Sequence, residues 1–161
     1  MCSSDLPDFQ HVGARDLPYK EENGVALRLV TGRAFGLASP VRVFSGIFYA
    51  DAKFSPGASL KMTDEHPERA IFVVSGTLDI GGASHGVGTM LVLDPDERVT
   101  ITAQDRARAM LLGGAPLDGP RHLWWNFVSS SQERIERAKA EWRANPEGHI
   151  PGETEFIPLP G

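Results

Sequence analysis

Between Val25 and Gly114 the chain is a succession of short apolar runs, each cut off within a few residues by glycine, proline or aspartate. That punctuation constrains the fold more than any other feature. Runs too short for a stable helix and closed by turn formers read as strands. The runs are Val25–Val30, Val41–Phe54, Arg69–Val74, Thr77–Ile80, Thr89–Leu93, Val99–Thr102 and Ala107–Leu112. Within the second, Val43, Phe44, Ile47, Phe48 and Tyr49 supply the strand character. Arg69-Ala70-Ile71-Phe72-Val73-Val74 is apolar on both faces beyond its first residue, the pattern of a strand covered on both sides. Val99 and Ile101 alternate with Arg98, Thr100 and Thr102, as in a half-buried strand. No helical pattern separates these runs, so a parallel sheet with crossover helices is disfavoured. An all-β sandwich or barrel over residues 25–114 is expected.

The flanks differ. Met1-Cys2-Ser3-Ser4-Asp5-Leu6 reads as translated sequencing adapter rather than native sequence, with a short disordered leader as the alternative, and is set aside. Residues 7–24 are polar and are expected to be irregular, ending in an Asn23-Gly24 turn. Residues 115–161 form an extension of different character, rich in aromatics at Trp124, Trp125 and Phe127. The two tryptophans are expected to pack between barrel and helix rather than to stack on a ligand. Ser130 and Glu133 have capping-box spacing, and a helix is expected over about residues 132–143 with Ile135, Ala138 and Trp142 on one face. Asn145-Pro146-Glu147-Gly148 ends it. The Pro-blocked tail through Phe156-Ile157-Pro158-Leu159-Pro160 can be neither helix nor central strand and is expected to lie extended.

Composition excludes several functions. The 161 residues suit one domain, and a net charge of −5, from 16 Lys and Arg against 21 Asp and Glu, leaves no basic stripe for nucleic acid. No apolar stretch is long enough to span a membrane, and no secretory signal pattern is visible. The single cysteine, Cys2, permits no intrachain disulfide, which fits a cytoplasmic setting.

Three clusters are more specific. The first joins Gly57-Ala58-Ser59-Leu60, Glu65-His66, Glu68-Arg69-Ala70 and Val73-Val74-Ser75-Gly76. The second joins Met110-Leu111-Leu112-Gly113-Gly114 with Pro120-Arg121-His122-Leu123-Trp124-Trp125-Asn126-Phe127-Val128-Ser129-Ser130. The third is Glu133-Arg134-Ile135-Glu136 with the Phe156-Ile157-Pro158-Leu159-Pro160 ending. Together these resemble the C-terminal half of the pirin family, within the cupin superfamily, over roughly residues 8–161. The resemblance implies a double-stranded β-helix, the cupin jelly-roll barrel, with one C-terminal helix and an extended tail. It implies an intact protein of two facing barrels whose iron sits in the N-terminal barrel, on three histidines and a glutamate. It further implies quercetin 2,3-dioxygenase activity in some members and regulation of transcription factors in others.

A cupin metal site needs His-x-His, a Glu a few residues on and a last His on a later strand. Imidazole and carboxylate suit iron, manganese, nickel or copper and leave positions open for substrate and dioxygen. Counting back from Gly76, the Glu position falls on Arg69. The His-x-His positions fall on Thr63 and Glu65, or on Met62 and Asp64, and the last on Val99 or Thr100. His66 and Glu68 are the near misses. They share a strand parity but stand one residue out of register, which would turn them to the wrong face. Pro67 also biases His66 toward an extended or turn conformation. They remain the metal candidates of this chain, but read more naturally as a loop histidine and a surface glutamate. His11, His85, His122 and His149 are expected to have ordinary structural roles, with His85 exposed in a Gly-rich hairpin.

No Gly-x-Ser-x-Gly elbow or phosphate-binding glycine loop is present. The expectation is therefore a chain with no catalytic, cofactor or metal site of its own, its iron expected in a missing N-terminal barrel. The partners would be that barrel, a flavonol-like small molecule or another protein. The alternatives are a non-enzymatic protein-binding module and a single-barrel cupin with a vestigial pocket. Apolar surface is expected to be uncovered near Phe156–Leu159.

Overall fold

The computed structural model describes residues 9–144 and 157–160. The leader, His149, the Asn145–Gly148 breaker and Phe156 of the tail lie outside the described residues. The strands are β1 (Tyr19–Glu22), β2 (Val25–Ala34), β3 (Leu37–Ala38), β4 (Ile47–Phe54), β5 (Ser59–Lys61), β6 (Glu68–Ser75) and β7 (Leu78–Ile80). They continue with β8 (Ala83–His85), β9 (Met90–Leu93), β10 (Thr100–Ala103), β11 (Ala107–Gly114), β12 (His122–Trp124) and β13 (Phe127–Ser129), followed by helix α1 (Gln132–Ala144). The chain divides into two compact units, Met1–Pro116 and Leu117–Gly161.

The first unit is the double-stranded β-helix. One antiparallel sheet runs β1-β2-β4-β11-β6-β9, with β3 paired to β2, and the other runs β5-β10-β7-β8. Period-two alternation places one face of each strand in the core. Leu27 and Leu29 of β2, Ala50 and Ala52 of β4, Ile71 and Val73 of β6, Ile101 of β10, and Ala109 and Leu111 of β11 are all buried. Alanine at the middle of β4 and β11 leaves room for the larger side chains of the core.

Several expectations are corrected. Val43 and Phe44 are not in a strand, and Phe44 is 92% exposed. Pro40 before them and Ser45-Gly46 after them keep this segment irregular until Ile47. The segment before Asn23 is not irregular throughout. Tyr19–Glu22 pairs with β2 through a tight turn in which Asn23 and Gly24 both take positive φ. Strand β6 is covered unevenly on its outer face, where Ala70 is buried but Phe72 is not. Arg69, Ile71 and Val73 point inward, whereas Phe72 is 37% exposed. Its apolar outer residues therefore do not mark a second core.

In the second unit β12 and β13 form a hairpin with Trp124 opposite Phe127. Trp125 and Phe127 meet Trp142 of α1 edge-on, at 5.3 and 6.0 Å between ring centroids. Ile135 is buried. The helix cap is Ser131, not Ser130: Ser131 Oγ accepts from the Arg134 amide, and Ser129 Oγ accepts from the Ser131 amide. Helix α1 starts one residue later than the box requires, so Glu133 sits in the first turn without closing it. Residues 157–160 adopt neither helix nor strand, and Trp142 Nε1 donates to Ile157 O.

Leu111 stands between Ala50 and Ile71 at the centre of the large sheet. Leu111→Ala is expected to cost about 3 kcal/mol of unfolding free energy in urea. Val92→Ala on the exposed face should change it by less than about 0.5 kcal/mol.

Candidate functional site

Of the positions where the resemblance would put ligands, Arg69 lies at one end of the large sheet. There Gly32, Phe48, Gly113, Arg69 and Leu93 form one cross-strand row through β2, β4, β11, β6 and β9. The two glycines are required by close approach. A Cβ on Gly113 would collide with Glu68 O and lie 2.6 Å from Phe48 Cε1, and one on Gly32 would collide with Ile47 O.

Arg69 occupies the expected Glu position and is 2% exposed. Nη1 donates to Thr63 O at 3.1 Å. Nη2 donates to Asp94 O at 2.9 Å, Pro95 O at 2.7 Å and Glu97 O at 2.8 Å. All four partners are backbone carbonyls, and the buried Nε has no partner. A single side chain thus joins the β5–β6 loop to the β9–β10 turn. That turn is closed by the Glu97 amide donating to Asp94 O and by the Asp94 amide donating to the Glu97 carboxylate.

The other candidate positions are also engaged. Thr63 Oγ1 donates to Glu65 Oε1 at 2.9 Å, and the same oxygen accepts from the Gly36 amide at 3.3 Å. His66 Nε2 lies 2.7 Å from Arg33 O. A carbonyl only accepts, so this nitrogen carries the hydrogen. The His66 ring also lies 5.1 Å from that of Phe48, tilted by 31°. Glu65 and His66 together clasp the β2–β3 hairpin, whose tip holds Phe35 at φ 56° and Gly36 at φ 71°. Positive φ is strained for a bulky aromatic. The Phe35 ring meets Phe48 edge-on at 6.1 Å, and Lys20 Nζ donates to Phe35 O at 3.4 Å. In the second offset, Met62 is core and Asp64 is an exposed partner of Arg98 at 3.7 Å. Val99 is buried apolar and Thr100 is exposed.

This donor set does not fit a transition metal. It offers an aliphatic side chain, a hydroxyl and a carboxylate that are already hydrogen-bonded, and a guanidinium, which donates hydrogen bonds and has no lone pair for a metal. Among the described residues, no three His, Cys, Asp or Glu side chains come together in a way that could hold a metal ion. Glu68 is exposed at the start of β6 and His66 is half-buried in the loop before it, bonded to Arg33 O. Of the other histidines described, His11 and His122 are exposed. His85 is half-buried in β8 opposite Leu78 rather than free in a turn. A shallow depression of about 320 Å³, lined by Lys53, Ser55, Ser75, Arg106 and Arg108 among others, includes none of the candidate positions.

The sequence reading did not find the clasp or the carbonyl turn. Asp94-Pro95-Asp96 announces a turn, but side-chain identity carries no signal that its carbonyls converge. His66→Ala is expected to lower unfolding free energy by about 1 kcal/mol. Iron(II) or cobalt(II) should shift the melting temperature of neither the parent chain nor this variant.

Comparison with known proteins agrees with the fold and with the motifs. Residues 49–148 match the family model described as the pirin C-terminal cupin domain. A pirin-like protein of Caulobacter vibrioides is 43% identical over 157 residues, covering 96% of this chain and 54% of that protein. A Pseudomonas aeruginosa protein named "Putative quercetin 2,3-dioxygenase" is 34% identical over 138 residues, covering 84% of this chain and 43% of that protein. A crystal structure of quercetin 2,3-dioxygenase from Acinetobacter baumannii superposes with a TM-score of 0.77 at 25% identity, over 91% of this chain and 50% of that one. The chain spans about half the length of the curated relatives it matches. With the barrel, the aromatic hairpin and this likeness in agreement, the chain belongs to the pirin family and carries its C-terminal cupin domain.

Proposed function

We propose that this chain serves as the second barrel of a two-barrel, iron-dependent dioxygenase acting on a flavonol such as quercetin. The iron is held by the other barrel, and this one supplies stability and one wall of the cleft between them. The observation that carries this reading is Arg69. Its guanidinium fills the position where the resemblance would put a carboxylate ligand, which supports assigning the chemistry named for the relatives to the other barrel.

A second feature supports a covering partner. On the outer face of the large sheet, Tyr49, Leu112, Ala70 and Val92 form one cross-strand row, and Met110, Phe72 and Met90 lie in the next. Val92 is 79% exposed and Met90 is 53% exposed. Contiguous apolar surface of this kind marks an interface. A protein-binding module with no chemistry of its own would use the same face, and that is the second reading. In the tail, where apolar surface is expected near Phe156–Leu159, Ile157 is exposed and Leu159 half-buried, while Phe156 lies outside the described residues.

The full-length protein, loaded with iron(II), is expected to consume dioxygen on addition of quercetin, while this chain alone does not. Absence of oxygen uptake by the loaded full-length protein would contradict the enzymatic reading. Recovery of a stable protein complex from that inert protein would favour the binding module. Phe72→Ser combined with Val92→Ser should reduce self-association of this chain in sedimentation experiments. In the full-length protein the same pair should lower the melting temperature.

A further inference from the structure

The β9–β10 turn has a feature that neither catalysis nor family membership accounts for. Its carbonyl oxygens at Asp94, Pro95 and Glu97 all lie within 2.9 Å of one nitrogen, Arg69 Nη2. Three carbonyl dipoles converging on a point repel one another unless a cation or strong donor sits there. Rings of backbone carbonyls replace the hydration shell of an ion in the same way. The remaining nitrogen, Nη1, reaches a fourth carbonyl on a different loop, Thr63 O. None of these partners is a carboxylate, so the charge on Arg69 is met by dipoles alone. Every hydrogen bond of the guanidinium is made by its terminal nitrogens, Nη1 and Nη2.

We propose that the Asp94–Glu97 turn is a cation-binding nest whose resident ion is the Arg69 guanidinium, and that this internal cation replaces a metal as the cross-link between the two loops at this end of the barrel. Arg69 is then a positioning residue. It fixes Thr63, and through Thr63 the Glu65 carboxylate that receives the Gly36 amide. The β2–β3 hairpin is held at the far end of that chain of contacts. The inference rests on this chain's own geometry and stands whether or not the intact protein is a dioxygenase.

The test compares Arg69→Ala, Arg69→Lys and Arg69→Gln by amide hydrogen exchange. In Arg69→Ala, amides of residues 62–66 and of Asp94, Asp96 and Glu97 should exchange on the order of tenfold faster, while those in the middle of β4 and β11 keep their protection. Millimolar guanidinium chloride, far below denaturing concentrations, should restore protection at both loops. Urea has nearly the same planar shape and donors but no charge, and should not; sodium chloride at equal ionic strength controls for screening. Arg69→Lys should stay closer to the parent than Arg69→Gln, and this pair decides the matter if the alanine variant fails to fold. Urea rescue equal to that by guanidinium, no rescue at all, protection in Arg69→Gln equal to or above that in Arg69→Lys, or exchange that rises evenly through the barrel would each overturn the proposal.

Discussion

A buried guanidinium bonded only to backbone carbonyls organises one end of this barrel. Burying a charge is costly unless it is extensively hydrogen-bonded. Arg69 meets that cost by drawing in four carbonyls from two loops, at 2.7–3.1 Å. The arginine thereby ties the two loops together, with Asp94 O accepting from the Glu97 amide as well. Thr63 and Glu65 are then directed at the β2–β3 hairpin instead of toward a shared centre. The row that contains Arg69 also contains Gly32 and Gly113, where any larger residue would strike the neighbouring backbone. Position and packing agree that this end is filled by protein atoms.

Much of the barrel was legible in the sequence because short apolar runs between turn formers leave few other folds. The Asn23-Gly24 turn was legible as well, though its first strand was not, because Tyr19-Lys20-Glu21-Glu22 is polar at an edge and carries no alternation. Val43 and Phe44 misled in the opposite direction: apolar content without a partner strand is not a strand. The outer face of β6 misled for a related reason. A run apolar on both sides, such as Arg69–Val74, is compatible with double burial and with an interface face, and periodicity cannot separate the two. At the candidate site, the mismatch of Arg69 with a ligand position was visible once the resemblance supplied the expected motif. Its four carbonyl partners were not, because backbone geometry leaves no trace in residue type.

The two surfaces of the large sheet therefore have different meanings. The inner face is a packed core of small and branched residues, with one cation at its end. The outer face presents Phe72, Met90 and Val92 to solvent, although these are residues that normally avoid it. Under the proposed function, a partner barrel would cover that face.

The central claim is that a guanidinium, and not a metal, occupies the interior of this barrel. Crystals grown with iron(II) or manganese(II) and measured at the metal's absorption edge test it directly. The account predicts no anomalous peak within the barrel and clear guanidinium density bridging Thr63 to the Asp94–Glu97 turn. An anomalous peak inside the barrel, gripped by His66 and Glu68 with Arg69 turned aside, would contradict it.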